Sequence, residues 1–391
     1  ALDRTRMKVS WRTILVLVAI VVATAVSQSF GRFTYALLLT DIRDEFALSN
    51  TLAGSLGSGN LAAYFVGSLT VIAIVGRVGL TLLAQASVAL VSYGLLVLAF
   101  SDSAALAATG LVITGFAAAG VWIAAPALAT AALGDSHRGT AIGIAVCGVG
   151  LGMVAASGLD ATFSWRDVYL VQAAIGLLAT AMLVCVLRRG ASSSLMAPGL
   201  SAIRVVPRWK SLIIAYGAFS TAMSLVITFL VALLEDDAGY SPSEASFAFS
   251  MLGIGSVLGG PVVGMIADRL GRRFALVAAF STMAVSTLAI LTGHAPGATL
   301  AAFVFGLSFT GGPVAVTVVI SDYTKGAAFG AAYGIATIVF SIGLTIGPQL
   351  GGWMADLAGS FRPVFVLAIG CALVSVVLTC TRSERRPEPV R

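Results

Sequence analysis

The chain has 391 residues, of which 58% are hydrophobic and only 10% charged, with a formal net charge of +6. Soluble domains carry about 25% charged residues, so this composition excludes a water-soluble globular protein and points to one integral to a membrane. Cys147, Cys185, Cys371 and Cys380 all lie in apolar runs, without a C-x-x-C spacing or a histidine nearby. They read as small buried hydrophobes, not as disulfides or metal ligands.

A helix needs about 20 apolar residues to cross a bilayer. In chain order, runs of that kind cover residues 14–39, 52–75, 80–100, 104–133, 140–159, 168–187, 211–234, 245–267, 274–291, 298–320, 327–354 and 364–380. None alternates with period two, so an all-α membrane protein of twelve transmembrane helices is expected and a β-barrel is not. The first run is too long for a secretory signal and lacks a small-residue cleavage site, so it reads as a retained helix.

The charges fix an orientation. With both ends of the chain on one side, nineteen of the 23 Lys and Arg residues fall on that side, and only Arg43, Arg166 and Arg362 on the other. Asp41, Asp44, Glu45, Glu235, Asp236, Asp237 and Glu244 gather in two loops of the second side. The positive-inside rule therefore expects cytoplasmic termini. The positive net charge reflects topology and gives no reason to expect nucleic acid as a partner; the bilayer is the expected surrounding.

An internal repeat emerges when the halves are overlaid. At an offset of 192, Asp44 falls on Asp236, Ser49 on Ser241, Gly67 on Gly259, Arg77 on Arg269 and Gly79 on Gly271; at 191, Gly139, Gly143 and Gly152 fall on Gly330, Gly334 and Gly343. Trp165-Arg166 is echoed by Phe361-Arg362. Two six-helix halves are expected, residues 1–189 and 211–391, joined by a polar cytoplasmic linker at 190–210.

Between the eighth and ninth runs stands Gly264-Met265-Ile266-Ala267-Asp268-Arg269-Leu270-Gly271-Arg272-Arg273. It resembles the G-x-x-x-D-R-x-G-R-R signature of the major facilitator superfamily, position by position. The resemblance covers nearly the whole chain and implies two pseudo-symmetric six-helix bundles around a central site. It assigns Gly264, Asp268, Arg269, Gly271, Arg272 and Arg273 to a latch that holds cytoplasmic helix ends together when that side is closed, Asp268 sitting by the positive N-terminus of a neighbouring helix. The first-half copy, Gly76-Arg77-Val78-Gly79, keeps Arg77 but loses the acid. The same arginines would also anchor the loop at anionic headgroups.

Arg32 is the only Lys or Arg deep within an apolar run, about 12 Å below the outer helix end at 1.5 Å per residue. A cation there costs at least ~2.5 kcal/mol on insertion scales and should face a polar cavity or a partner. No run contains an internal carboxylate to neutralise it. Guanidinium binds carboxylate in a two-point fork, so an anionic substrate is expected. Ser29-Phe30-Gly31-Arg32-Phe33-Thr34-Tyr35 followed by Asp41-Ile42-Arg43-Asp44 resembles the first helix of monocarboxylate transporters, with Arg in place of their Lys. Gly31 to Leu39 is also similar to a G-R-F-x-Y-A-L-L-L stretch in an uncharacterised bacterial branch of the superfamily.

Further candidates line up at helical spacing: Gln28, Arg32 and Tyr35; Asn60, Tyr64 and Ser68; Ser220, Ser224 and Thr228; Tyr333, Thr337 and Ser341. The resemblance implies that helices one, four, seven and ten line the cavity, which adds Trp122 and favours Ser220, Ser224 and Thr228. Ser and Thr in membrane helices also bond their own backbone or join helices. Gly343, Gly347-Pro348 and Gly351-Gly352 resemble a motif of proton-coupled drug antiporters, but stand in helix eleven where those proteins carry it in helix five.

The Gly148-Val149-Gly150-Leu151-Gly152 string lacks a preceding strand and a downstream acid, no Walker loop is present, and His137 and His294 sit at loops. No enzyme, cofactor or metal site is expected. The expected function is secondary transport of a small organic anion, a carboxylate, by proton symport or anion exchange. A proton would ride on the substrate or on Asp41, Asp160 or Glu235. Proton-coupled multidrug efflux is the alternative. A monomer in a bacterial cytoplasmic membrane is expected, the excess of Arg over Lys and the many Ala and Gly hinting at a GC-rich bacterium.

Overall fold

Serines set the helix starts. Ser49 accepts from the Leu52 amide and Ser241 from the Glu244 amide, while Glu244 reaches back to the Ser241 amide in a capping box. Glycines set two of the stops: Gly79 and Gly271, at φ 80° and 95°, take a conformation that a Cβ would strain. In a computed structural model that describes residues 10–134, 138–187, 202–293, 297–324 and 327–380, these signals delimit helices at matching positions of the two halves.

Twelve of the described helices are long and apolar enough to cross a membrane. They are α1 (Trp11–Leu37), α2 (Asn50–Val78), α3 (Leu80–Ala99), α4 (Ala104–Leu133), α5 (Arg138–Asp160) and α6 (Trp165–Val186), then α7 (Trp209–Asp237), α8 (Pro242–Leu270), α9 (Arg272–Thr292), α10 (Gly297–Tyr323), α11 (Ala327–Ala358) and α12 (Arg362–Cys380). The basic residues at 1–9, Arg188, Arg189, Lys325, those after Cys380, and the expected linker up to residue 201 lie outside the described residues. The described end of that linker is not a free polar tether: Ile203 and Val206 are buried and the turn Ala202–Val205 packs on α11.

Helices α1–α6 pack among themselves, as do α7–α12, forming two six-helix bundles. Without a hydrophobic drive between helices in lipid, small residues decide how close backbones come. A Cβ on Gly152 would meet Ser29 at 2.6 Å, and one on its counterpart Gly343 would meet Ser220 at 2.1 Å, so α5 lies on α1 as α11 lies on α7. The repeat read in the sequence is thus a repeat of close helix contacts.

The end of the molecule formed by the turns near residues 41–49, 160–164, 237–241 and 359–361 is called here the acidic end, and the end carrying Arg77 and residues 268–273 the basic end. The bundles meet through α2 with α11, α5 with α8, and the last turn of α1 with α7. The bonds that join them cluster toward the acidic end. Asp356 of α11 accepts from the amides of Asn50 and Thr51 at 2.8 and 2.7 Å, capping α2 from the opposite bundle. Arg43 pairs with Asp236 at 2.5 Å, Ser58 donates to the Thr345 carbonyl at 2.7 Å, and Ser246 donates to Asp160. By contrast, α4 and α10 make no extended contact with the opposite bundle. The structure is therefore closed at its acidic end.

Candidate functional site

The helix that carries Arg32 is not uniform. Residues Ala25–Phe33 wind as a π-helix, and the chain breaks at Leu38 before the short helix Leu39–Glu45. Such wide turns inside α-helices recur at functional sites. Here the wide segment contains Gln28 and Arg32 and faces both α4 and α5.

Arg32 donates from Nη1 to the Gln28 Oε1 at 2.8 Å, and its guanidinium carbon stands 3.8 Å from the Tyr64 ring centroid and 5.1 Å from that of Phe33. Its Nε is buried with no partner. Among the described residues no carboxylate pairs with it. A desolvated cation–π contact is worth about 2 kcal/mol, whereas removing an ion from water costs several kcal/mol even after relaxation. Tyr64 therefore offsets part of the burial cost and leaves the positive charge uncompensated.

Arg32 lines a small cavity with Tyr35 and Gly57 from the first bundle and Ser224, Thr228 and Leu344 from the second. At the offset of 192 that relates the halves, Arg32 corresponds to Ser224 and Gln28 to Ser220. The repeat thus matches an amide and a guanidinium on α1 with two hydroxyls on α7. Phe33 meets Phe309 of α10 edge-on at 5.5 Å, a contact between bundles that no sequence pattern marks.

The other candidates divide. Tyr35 donates its hydroxyl to the Ala53 carbonyl at 2.7 Å, and Ser224 bonds the Thr221 carbonyl at 3.1 Å while lining the cavity. Asn60 gives its amide to the carbonyls of Gly31 and Leu111 at 2.9 and 2.8 Å, which joins α1, α2 and α4 and leaves no donor for a ligand. Ser220 and Thr337 bond carbonyls of their own helices. Tyr333 interacts with Tyr216, which also stacks on Phe340 at 4.6 Å between centroids. Trp122 keeps 38% of its surface exposed on α4 and is not part of the cavity wall.

At the basic end the signature residues bond within the second bundle. Arg272 donates to Asp322 at 3.1 Å, the Ala267 carbonyl at 2.9 Å and Asp268 at 3.1 Å; Arg273 donates to the Cys380 carbonyl. Asp268 has 77% of its side chain exposed, and Arg77 and Arg269 are exposed. Gly264 has open space around it and Gly271 makes the turn. Among the described residues no helix N-terminus holds Asp268 in this state, in keeping with an acidic end that is closed.

From sequence, Glu45 and Asp237 read only as topological markers, unlike the candidate proton carriers Asp41, Asp160 and Glu235. Glu45 accepts from the Trp165 indole at 2.6 Å and from Arg166, while its counterpart Asp237 accepts from the Phe361 amide at 2.6 Å and from Ser360 at 2.9 Å. Each ties the exit of a bundle's first helix to the entry of its sixth. The Arg166 hydrogen bond, with help from Trp165, holds Glu45 below the ordinary glutamate range. Burial, reinforced by Asp44 and Glu45, pushes Asp41 up. Burial opposes the charge of Arg43, but hydrogen bonds to Asp236 and Asp44 outweigh it and raise its pKa.

The fold has close parallels. A bacterial homolog to the human lysosomal transporter Spinster, crystallised in an inward-facing and unoccupied conformation, superposes with a TM-score of 0.77 at 17% identity over 97% of this chain and 100% of that one. Its inward-facing and occupied form gives 0.77 at 15% identity, over 94% and 95%. In sequence, 195 residues are 28% identical to the 3-(3-hydroxy-phenyl)propionate transporter of Escherichia coli (strain K12), covering 48% of this chain and 48% of that protein. The chain thus spans about half the length of the curated relative it matches. The family described as "Uncharacterised MFS-type transporter YbfB" matches residues 24–380. The chain therefore belongs to this family of multi-pass membrane transporters, which are not enzymes.

Proposed function

We propose that the protein is a secondary transporter that carries a small organic carboxylate by rocking its two bundles about the Arg32 cavity. The observation that carries this reading is Arg32 itself: a guanidinium within the span of α1, one nitrogen buried without a partner, and no carboxylate to balance it among the described residues. A carboxylate supplies both the missing charge and the missing acceptors. That the relative matched over 48% of its length is named for transport of an arylpropionate supports the carboxylate class. Tyr64 and the Phe33–Phe309 pair give an aromatic substrate rings to pack against.

In this reading the basic end faces the cytoplasm of a bacterial cell, the acidic end is the closed outer gate, and the protein works as a monomer. Proton symport, with the substrate or Asp41, Asp160 or Glu235 as carrier, and anion exchange both fit a site whose only charge among the described residues is positive. A thermal-shift screen of the purified protein against organic carboxylates and cationic drugs tests the reading, because a ligand that binds only the folded state stabilises it. Stabilisation by carboxylates is expected; stabilisation by cationic drugs alone would replace it with drug efflux.

A further inference from the structure

We propose that Gln28 is a positioning residue that makes Arg32 a reader of anions: its neutral amide fixes the guanidinium and leaves the Nε–Nη2 edge, with its charge unbalanced, as the docking edge for a carboxylate. This rests on the anion reading above and moves Gln28 from the substrate's side of the site to its support. The Gln28 side chain is 1% exposed. Its Nε2 donates to the Ala118 carbonyl of α4 at 3.0 Å and its Oε1 accepts Nη1 of Arg32 at 2.8 Å. The orientation of the amide is fixed by its neighbours, since a carbonyl only accepts and a guanidinium only donates.

With Nη1 held and the Tyr64 ring over one face at 3.8 Å, the buried, unpartnered Nε marks the side that remains. A two-point fork through Nε and Nη2 is the mode in which guanidinium takes a carboxylate. The chemistry of position 28 then decides whether that edge has any use. A glutamate of the same length would pair with Arg32 internally and cancel the charge that an incoming anion needs. A side chain without an acceptor would leave the guanidinium free to turn. Only a neutral acceptor both holds Arg32 and leaves it cationic.

The test is equilibrium binding of 3-phenylpropionate and of its uncharged isostere 3-phenylpropionamide to the purified full chain, for the unsubstituted protein and for Gln28→Glu, Gln28→Met and Arg32→Gln. Gel filtration and melting temperature check the fold of each. The unsubstituted protein is expected to prefer the carboxylate by at least about 30-fold, as for other buried charge pairs. In Gln28→Glu that preference falls to near unity while the amide binds as before. Gln28→Met keeps the preference, because both ligands dock on the same loosened guanidinium and both bind about tenfold more weakly, one hydrogen bond to a charged group having been lost. An undiminished preference in Gln28→Glu overturns the assignment of Gln28. Should that variant not fold, undiminished carboxylate affinity in Gln28→Met overturns it instead. A preference that is absent from the unsubstituted protein, or that survives Arg32→Gln, overturns the anion reading itself.

Discussion

Gly54→Ala should open the acidic end without touching any charged group. An added methyl at Gly54 would stand 2.2 Å from the Pro348 carbonyl oxygen and 3.0 Å from its carbon, across the contact between α2 and α11. Both are backbone atoms, so no side chain can swing away; the helices themselves must part. Overpacking of this kind costs about 1–3 kcal/mol. The cost falls only on the state in which the bundles touch there, so the population ratio should shift by about 5- to 140-fold toward the state that is open at the acidic end. Spin labels on exposed Asp102 and Ser243, one in each bundle, placed in a cysteine-free background, would read the change as a longer distance in double electron–electron resonance. Gly59→Ala is the control, because on the same helix it meets nothing within 4 Å. An unchanged distance distribution in Gly54→Ala, or an equal shift in Gly59→Ala, would refute the claim that the α2–α11 contact is the closed gate.

Asp356→Ala removes the carboxylate that caps α2 from the other bundle, and the same label pair should lengthen by a smaller shift, about 2- to 30-fold in population for a cap worth about 0.5–2 kcal/mol. Asp268→Asn should leave the melting temperature of the present state nearly unchanged, since the exposed pair with Arg272 is worth about 0.5 kcal/mol at most. It should nonetheless lower the population of the state closed at the basic end, seen as fewer short distances across that end; no such loss would leave Asp268 an anchor of the loop only. Glu45 is held below its ordinary value of 4.5, so its tie to Arg166 is complete above that pH and lost as pH falls through the lower folded value. Fluorescence of Trp165, compared with Glu45→Gln, should be flat from pH 8 to 6 and change only below about 4.5; a transition near neutral pH would contradict the assignment.

Much of this architecture was legible because the physics is local. Apolar length sets a span, Ser49 and Ser241 set helix starts, and Gly79 and Gly271 set stops, each recognisable from a few neighbouring residues. The depth of Arg32 and the absence of a carboxylate in its surroundings were likewise readable from one helix at a time. What the sequence withheld is what depends on two distant segments meeting. Asp356 looks like an ordinary acid at a helix end until α2 lies against α11, and Asn60 looks like a cavity residue until its amide is seen to bind three helices together. The π-helical winding of Ala25–Phe33 has no composition of its own and follows from packing against α4 and α5. One missed feature was within reach: extending the offset of 192 to Glu45 lands on Asp237, and both tie down the sixth helix of their half.

The central claim is that the charge of Arg32 selects and carries an anion. Uptake of a radiolabelled arylcarboxylate into liposomes containing the purified protein tests it most directly, with Arg32→Gln and Arg32→Lys beside the unsubstituted chain. Removing an unpaired charge from a membrane helix relieves a cost, so Arg32→Gln should fold. Transport should vanish in Arg32→Gln and persist in part in Arg32→Lys, whose ammonium keeps the charge but loses the planar fork. Full carboxylate transport by Arg32→Gln would contradict the account.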